Sequence, residues 1–119
     1  GMVVQSVGPG TATLTMKVTA DMTNGHGTCH GGFIFTLADS AFAYACNSYN
    51  QRVVAGQAAI TFIAPAFAAD LLTAQATEVQ LYGRSGIYDV RVTRQSGDVV
   101  AEFRGHSRTI KGTHFNEEE

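Results

Sequence analysis

Apolar and polar residues alternate with a period of two over most of the chain, which predicts a protein built mainly of β-strands. Residues 11–20 carry alanine, leucine, methionine and valine on one parity and mostly threonine on the other, as a half-buried strand does. A shorter apolar run precedes them across Gly8-Pro9-Gly10, so these two runs predict a β-hairpin. The predicted strands are residues 3–7, 11–20, 53–64, 70–81, 87–93 and 99–110.

Alternation is imperfect within residues 70–81, which predicts a β-bulge in that strand. One stretch, residues 31–49, lacks the period of two altogether and predicts a helix. Its apolar residues go nearly all round a helical wheel, which is typical of a buried helix. The order β-β-α-β-β-β-β therefore predicts an α+β fold in which a curved antiparallel sheet wraps one long central helix.

Length and composition narrow the class of protein. A chain of 119 residues is expected to form one domain, with residues 112–119 as a flexible tail. Only 15% of the residues are charged, so we expect part of the surface to be covered by another subunit, and the net charge of −2 gives no basic field for nucleic acid. Cys29 and Cys46 make no disulfide framework. With no signal-peptide pattern or membrane-spanning run, we expect a cytoplasmic protein without membrane partners.

Asp39 is the single formal charge of residues 22–51, and it falls in the first half of the predicted helix. Aspartate is a poor helix former away from the first turn, and a charge among apolar faces is costly without a partner or a function. Two interpretations remain open at this point. Asp39 is either a catalytic carboxylate or a structural one that meets water or a neighbouring strand.

His30-Gly31-Gly32 opens the predicted helix. The first amide groups of a helix have no internal acceptor and lie at the positive end of the helix dipole. Glycine lets a ligand approach that backbone, so this turn could hold a developing oxyanion. A plain glycine-rich loop is the alternative, and Asn24, seven residues before Gly31, is by itself an ordinary loop residue.

The spacing of Gly31 and Asp39 has a structural consequence. Eight residues of helix separate them by roughly 12 Å, whereas a reacting carbonyl needs its donor and its carboxylate each within about 3 Å. One helix cannot supply both groups. Two antiparallel copies can, so the pattern predicts at least a homodimer with two equivalent sites.

His26, Cys29 and His30 suggest two other kinds of site. As a metal site the cluster lacks a fourth ligand, and no second pair of ligands occurs at the required spacing. Cys29 as a nucleophile would need His30 as its base, but adjacent loop residues rarely bring their side chains together. Both alternatives are weaker than the pairing of Gly31 with Asp39.

These residues resemble hotdog-fold acyl-coenzyme A thioesterases of the phenylacetyl-coenzyme A thioesterase (PaaI-type) family. The resemblance covers nearly the whole chain, and its most specific part lies between Asn24 and Asp39. The matching residues are Asn24, His30-Gly31-Gly32 and Phe35-x-Leu37-Ala38-Asp39, with a looser match at Gly83-Arg84-Ser85 and Tyr88-Asp89-Val90.

The resemblance implies a homodimer with a continuous sheet, commonly paired into a homotetramer, and a role in phenylacetate degradation. It implies that Asp39 is the general base or the nucleophile, and that the Gly31 N–H polarises the thioester carbonyl. It also implies that Asn24 places the water or the substrate and that His30 shapes the turn. No metal or redox cofactor is expected, because coenzyme A is part of the substrate.

The resemblance also suggests which residues contact the acyl-coenzyme A substrate. Basic residues should meet the coenzyme A phosphates, although solvated surface arginines explain Arg84 and Arg108 equally well. Aromatic residues of the helix region could line an acyl pocket or simply form core; they are Phe33, Phe35 and Tyr49. The candidate substrate-binding residues are Gly32, Ser40 (where family members often have threonine), Arg84, Ser85 and Arg108.

Two other functions are compatible with the sequence. A hydratase or dehydratase of the same fold would need a histidine working with an acid across the dimer, and His30 is the suitable one near Asp39. A non-catalytic acyl-ligand binding module would keep the pocket without needing a charge at Asp39. No Gly-x-Ser-x-Gly elbow points to a serine triad. Thioester hydrolysis remains the main expectation, because an oriented carboxylate and a backbone donor can suffice for it.

Overall fold

One long helix packs on the concave side of a six-stranded antiparallel sheet. The structure is a computed structural model, and it describes residues 1–49 and 51–110. The predicted tail at residues 112–119 lies outside the described residues. In chain order the elements are β1 (Met2–Gly8), β2 (Thr11–Lys17), a 3-10 turn (Ala20–Met22), α1 (Gly31–Cys46), β3 (Arg52–Phe62), β4 (Leu71–Tyr82), β5 (Ser85–Thr93) and β6 (Val99–Ile110).

The sheet has the strand order β1-β2-β4-β5-β6-β3, with every neighbouring pair antiparallel. The predicted order of elements is therefore confirmed, and so is the hairpin of β1 and β2. The predicted bulge in β4 is also confirmed, because its register against β5 shifts between Glu78 and Gln80. Before the bulge, every second side chain of β4 is buried, from Leu72 to Ala76. After the bulge this pattern ends, and Val79 and Leu81 are both exposed.

The core lies between the sheet and one face of α1. The ring of Phe42 rests against the backbone of Gly105, where a Cβ would approach ring atoms to 2.8 Å. Its centroid lies 5.6 Å from that of Tyr88 and 5.7 Å from that of Phe103. Glycine at this position of β6 thus lets the helix pack closely on the sheet. The buried helix residues are Ile34, Leu37, Ala38, Ala41, Phe42, Ala45 and Cys46.

The expectation that the helix is buried nearly all round is wrong for the single chain. Phe33, Ala43 and Tyr44 are exposed, because the sheet covers only one side of α1. The helix also ends at Cys46 rather than at residue 49. Asn47 leaves the helical conformation, and the Ser48 hydroxyl donates a hydrogen bond to the Ala45 carbonyl at 2.7 Å, which caps the last turn. Within the described residues, no helix is long and apolar enough to cross a membrane.

Candidate active site

The loop before the helix is organised by Asn24. Its side-chain Oδ1 accepts hydrogen bonds from the backbone N–H groups of His26 (2.8 Å) and Thr28 (3.3 Å). The backbone N–H of Asn24 also donates to the Thr28 carbonyl at 2.9 Å, so the main chain and the side chain of Asn24 both bond to Thr28. The Nδ2 amide hydrogens have no acceptor among residues 1–49 and 51–110. Asn24 therefore builds the turn with its oxygen and keeps two donors available for another group.

The start of α1 leaves the backbone N–H groups of Gly31 and Gly32 without an acceptor among the described residues. Cys29 N–H donates to the Ala66 carbonyl (2.7 Å) and His30 N–H to the Met22 carbonyl (2.8 Å), which fixes the entry into the helix. No acceptor in the described part of the chain is bonded to the Gly31 N–H. That group is a first-turn donor at the positive end of the helix dipole. It is the kind of donor that stabilises an oxyanion.

A groove of about 510 Å³ lies beside this donor, between the start of α1 and the chain that follows β3. The ring of Phe62 closes over Gly31, where a Cβ would approach its Cζ to 2.8 Å. Glycine is needed here for the ring to take that position. The groove is lined mainly by apolar side chains; its lining residues are Thr28, Cys29, Gly31, Ile34, Phe62, Ile63, Ala64, Pro65 and Ala66.

Asp39 lies two turns farther along the helix, and its side chain is half-buried. Its carboxylate has no hydrogen bond or ion pair with any other described residue. Because Gly31 and Asp39 belong to one continuous helix, they remain roughly 12 Å apart along its axis. A single chain therefore does not bring the free donor and the free carboxylate together.

The side of the molecule that carries Asp39 is unusually apolar for a surface. Strand β3 stands at the edge of the sheet, so its outer edge has unpaired backbone groups. Exposed apolar side chains lie on the outer face of α1 and along or just after β3; they are Phe33, Tyr44, Val54, Phe62 and Ile63, each 39–55% exposed. A free strand edge beside an apolar helix face is typical of a surface that another subunit covers.

The candidate substrate-binding residues fall into two groups within one chain. Gly32 and Ser40 lie on α1 near Gly31 and Asp39, with Gly32 exposed and Ser40 half-buried. Arg84 and Ser85 lie at the other end of the helix, where they line a small cavity with Cys46. The fifth candidate, residue 108, pairs with Ser85 across β5 and β6 and alternates with buried Ser107, so Arg108 is on the outer face of the sheet.

The alternatives at His26, Cys29 and His30 gain no support from their geometry. The Cys29 thiol lies 3.5 Å from the backbone carbonyl of His30, to which it donates, rather than being paired with an imidazole. Burial raises the pKa of the Cys29 thiol, which disfavours the thiolate that a nucleophile would need. In the described part of the chain, no three His, Cys, Asp or Glu side chains are grouped as a metal site would require.

Sequence reasoning missed the second wall of the groove. Phe62 and Ile63 were predicted only as the end of a strand, and Pro65 and Ala66 lie beyond it, yet all four line the groove beside the Gly31 donor. The available signal was Pro65, since a proline directly after an apolar strand marks a bend in the chain. None of the three aromatic residues suggested for an acyl pocket lines this groove. Phe35, for example, packs against the core, with its centroid 5.6 Å from that of Phe103.

Comparison with known proteins shows the family to which the chain belongs. The model of the thioesterase superfamily matches residues 26–101, which include the helix and most of the sheet. The acyl-coenzyme A thioesterase PaaI of Escherichia coli (strain K12) is 48% identical over 113 residues, covering 95% of this chain and 81% of the relative. A protein described as a putative esterase from Archaeoglobus fulgidus is 35% identical over 96 residues, covering 81% of this chain and 62% of that protein.

Solved structures are similar over nearly the whole chain. The structure of E. coli PaaI, from the phenylacetic acid degradation operon, superimposes with a TM-score of 0.92 at 47% identity, covering 94% of this chain and 81% of that one. A protein from Streptococcus mutans UA159 bound to acetyl-coenzyme A has a TM-score of 0.90 at 25% identity, covering 97% and 92%. The helix wrapped by a six-stranded sheet is thus the hotdog fold. The chain belongs to the thioesterase superfamily, as a PaaI-like thioester hydrolase.

Proposed function

We propose that this protein hydrolyses acyl-coenzyme A thioesters, with an aryl-acyl or a small to medium acyl group. The observation that carries the proposal is the pair of unsatisfied groups on α1, the Gly31 N–H and the Asp39 carboxylate. The E. coli relative, 48% identical, is itself an acyl-coenzyme A thioesterase, and the S. mutans structure holds acetyl-coenzyme A. Phenylacetyl and hydroxyphenylacetyl esters are the first substrates to test.

In the proposed reaction the thioester carbonyl oxygen accepts a hydrogen bond from the Gly31 N–H. Asp39 takes a proton from a water molecule as the water oxygen bonds to the carbonyl carbon. The tetrahedral intermediate then collapses, the carbon–sulfur bond breaks, and the thiolate leaves and takes up a proton. The products are the free acid and coenzyme A. This chemistry uses a carboxylate, backbone donors and water, and calls for no metal or redox cofactor.

Asp39 could instead attack the carbonyl carbon itself, forming a mixed anhydride that water then opens. A single turnover in water labelled with oxygen-18 identifies the anhydride route if the label enters Asp39, whereas label found only in the released acid is compatible with both routes, because water can also attack the acyl carbon of the anhydride. General-base catalysis puts the label into the released acid. Attack of water on the side-chain carbon of a mixed anhydride puts it into Asp39, where mass spectrometry of the peptide detects it.

We propose that the active unit is a homodimer in which two α1 helices lie antiparallel. The free edge of β3 and the exposed apolar side chains of the helix face support this, because pairing two such edges would extend the sheet and cover that face. Gly31 of one chain would then lie opposite Asp39 of the other. Two dimers could assemble further into a tetramer.

The same arrangement assigns a place to the basic candidates. With Gly31 opposite Asp39 of the partner subunit, the carboxyl end of the partner's helix extends roughly 10 Å beyond Gly31. In each chain, Arg84 and Ser85 lie at the carboxyl end of that chain's own helix, beside Cys46. We therefore propose that they, with Arg108 from the adjoining strand, meet the phosphate-bearing part of coenzyme A.

The residues around the donor have supporting roles in this proposal. Asn24 directs its free Nδ2 donors toward the water or the substrate while its oxygen holds the loop. His30 caps the helix with an extended backbone and shapes the turn. Gly32 leaves open space for the substrate, since a Cβ there would meet nothing within 4 Å. Ser40 offers a hydroxyl beside the catalytic carboxylate.

The first experiment measures thiol release from a panel of acyl-coenzyme A esters. Asp39→Asn keeps the size of the side chain but removes its basicity, so it should lower kcat by orders of magnitude without changing the fold. Asn24→Ala should cost less, because Asn24 positions the reactants and does not react. Absence of thiol release from aryl, short-chain and medium-chain esters by the wild-type protein would exclude the proposed activity.

Mixed dimers test whether the site is shared. Asp39→Asn retains a good Gly31 donor, and Gly31→Pro lacks that N–H but retains Asp39. In a 1:1 mixture about half of the dimers are hybrid, and each hybrid has one intact site of two if the groups come from different chains. Reassembly should then restore roughly a quarter of the wild-type activity. A mixture as inactive as its two components would show that both groups act within one chain.

A further inference from the structure

A buried ion pair lies outside the groove, at the junction of β4 with the hairpin that joins β5 and β6. Asp70 is 5% exposed, and its two carboxylate oxygens accept four hydrogen bonds. Arg94 supplies two of them, from Nε at 2.8 Å and from Nη2 at 3.2 Å. Gln95 Nε2 donates at 2.9 Å, and the backbone N–H of Phe67 donates at 2.8 Å.

The cluster fixes the segment that ends at Asp70. Arg94 also stacks over the ring of Phe67, with its guanidinium carbon 5.3 Å from the ring centroid. Ala69 has a φ of 73°, the one positive φ of a non-glycine residue in the described chain. Such a backbone persists only where the surroundings hold it. The Asp70–Arg94 pair is one polar part of those surroundings, beside the backbone hydrogen bonds from Ala69 N–H to the Val18 carbonyl (2.8 Å) and from Asp70 N–H to the Phe67 carbonyl (3.0 Å).

Phe67 connects this cluster to the loop that precedes the helix. Thr28 and Phe67 form a β-bridge, and Cys29 N–H donates to the Ala66 carbonyl at 2.7 Å. Residues 28 and 29 are therefore held from one side by the Asn24 turn and from the other side by residues 66 and 67. The chain then passes through His30 directly into Gly31. Asp70 is therefore linked through Phe67 to the segment that leads into Gly31.

Stability alone gives a weak reason for an ion pair at this place. Replacing a buried ion pair by apolar residues is often neutral or stabilising, because taking charges out of water is costly. A bidentate pair does, however, fix direction better than apolar packing can. Directional control matters most beside the groove, where a small misplacement of a donor lowers the rate of the reaction strongly.

We infer that Asp70 and Arg94 are positioning residues for the Gly31 donor, acting through Phe67 and the bridge to Thr28; this inference rests on the proposed function. Neither residue touches the substrate. Loss of the pair leaves substrate affinity intact and moves the donor away from the carbonyl oxygen. The effect therefore falls on kcat rather than on KM.

The test compares Arg94→Lys with Arg104→Lys. Both arginines form bidentate pairs with an aspartate, but Arg104 binds Asp89 on the outer face of the sheet, away from the loop. Lysine keeps the charge and loses the fork geometry in both cases. Arg94→Lys should lower kcat by between about 10-fold and 100-fold with KM little changed, and Arg104→Lys should leave both constants as in the wild type. Equal kcat losses in the two variants, or none in Arg94→Lys, would overturn the inference.

A double variant shows whether the effect passes through Gly31. In a Gly31→Pro background the donor is already gone, so Arg94→Lys should cause little further loss of kcat. A full additional loss there would mean that the pair acts on something else. If the wild-type protein releases thiol but Gly31→Pro is as active as Gly31→Ala, the Gly31 N–H is not the donor and the inference is overturned with it. Absence of thiol release from the wild-type protein would instead refute the proposed function.

Hydrogen exchange gives a readout that does not require activity. The Cys29 amide, protected by Ala66, should exchange faster in Arg94→Lys than in the wild type or Arg104→Lys, as seen in peptides covering residues 22–34. Unchanged protection would overturn the inference whatever the activity data show. If Arg94→Lys fails to fold, Gln95→Met removes one hydrogen bond to Asp70 together with the one that Gln95 Oε1 accepts from the Leu71 N–H, and it should produce the same changes to a smaller extent.

Discussion

Replacing Gly31 by proline would remove one hydrogen-bond donor from the proposed site while keeping the helix that carries it. Gly31 is the first residue of α1, the position at which proline is favoured, and its N–H has no acceptor among the described residues to lose. The preceding residue, His30, has φ −60° and ψ 136°, a conformation that suits a residue before proline. The substitution is therefore compatible with the backbone as it stands.

Gly31→Ala is the matched control. Both substitutions introduce a Cβ that would meet the ring of Phe62, whose Cζ lies 2.8 Å from that position. Since Phe62 is 51% exposed and the contact is with the far end of its side chain, the ring can swing aside in either variant. Only proline also removes the N–H. The difference in kcat between the two variants therefore corrects for the added Cβ and reports the loss of the N–H together with the ring Cδ that replaces its hydrogen.

Loss of a single oxyanion donor typically lowers kcat by about 100-fold to 1,000-fold, or about 2.7–4 kcal/mol of transition-state stabilisation. We expect Gly31→Pro to fall below Gly31→Ala by that factor in thiol release at saturating substrate. Circular dichroism and Tm should be similar for the two variants. If Gly31→Pro retains the kcat of Gly31→Ala at equal folded content, the carbonyl oxygen is not bound by the Gly31 N–H.

Three further predictions follow from the packing, charge and exposed surface of the chain. Gly105→Ala should destabilise the fold by about 1–3 kcal/mol, because the added Cβ would lie 2.8 Å from ring atoms of Phe42, whereas Gly25→Ala, with open space around it, should leave the Tm nearly unchanged. Burial tends to raise the pKa of Asp70, but its bonds to an arginine, a glutamine and a backbone N–H outweigh that and lower it from 3.8. The contribution of Asp70 to the free energy of unfolding is thus complete above pH 3.8 and is lost as the pH falls through the lowered pKa. In urea titrations, the free energy of unfolding of Asp70→Asn should therefore decrease less steeply at acid pH than that of the wild type. Finally, dilution should lower specific activity together with the dimer fraction seen by light scattering, and activity that persists in a monomer would contradict the shared site.

Much of the fold follows from local pattern. The period of two puts Tyr88 and Val90 on one parity of β5 and puts Phe103 on one parity of β6, and the structure buries all three of these side chains. The ends of elements were harder to predict, because they depend on tertiary contacts. Residues 18–20 continue the alternation of β2, yet the strand ends at Lys17, where the chain turns into a 3-10 turn and the Val18 N–H pairs with the Asp70 carbonyl.

The candidate site was predictable only in part, for a similar reason. Asp39 and Gly31 could be found because each is anomalous locally, one as a charge in an apolar helix and the other as a glycine at its start. Phe62 and the Asp70–Arg94 pair carry no such local anomaly. Asp70 and Arg94 are 24 positions apart, and only the pairing of β4 with β5 brings them together. Their relation to the groove is a property of the sheet and not of any short motif.

The exposed face of α1 connects assembly with chemistry. Its apolar residues favour contact with a second copy, whereas the half-buried Asp39 on the same helix opposes it, because a carboxylate deprived of water is costly unless another group replaces that water. A site that retains one water and brings in the partner's helix start would meet both demands. The water would donate a hydrogen bond to the Asp39 carboxylate and would be held there for attack on the thioester. On this argument, Asp39→Asn should strengthen the dimer while abolishing hydrolysis. Assembly and activity should then move in opposite directions in this variant, which a loss of folding could not produce.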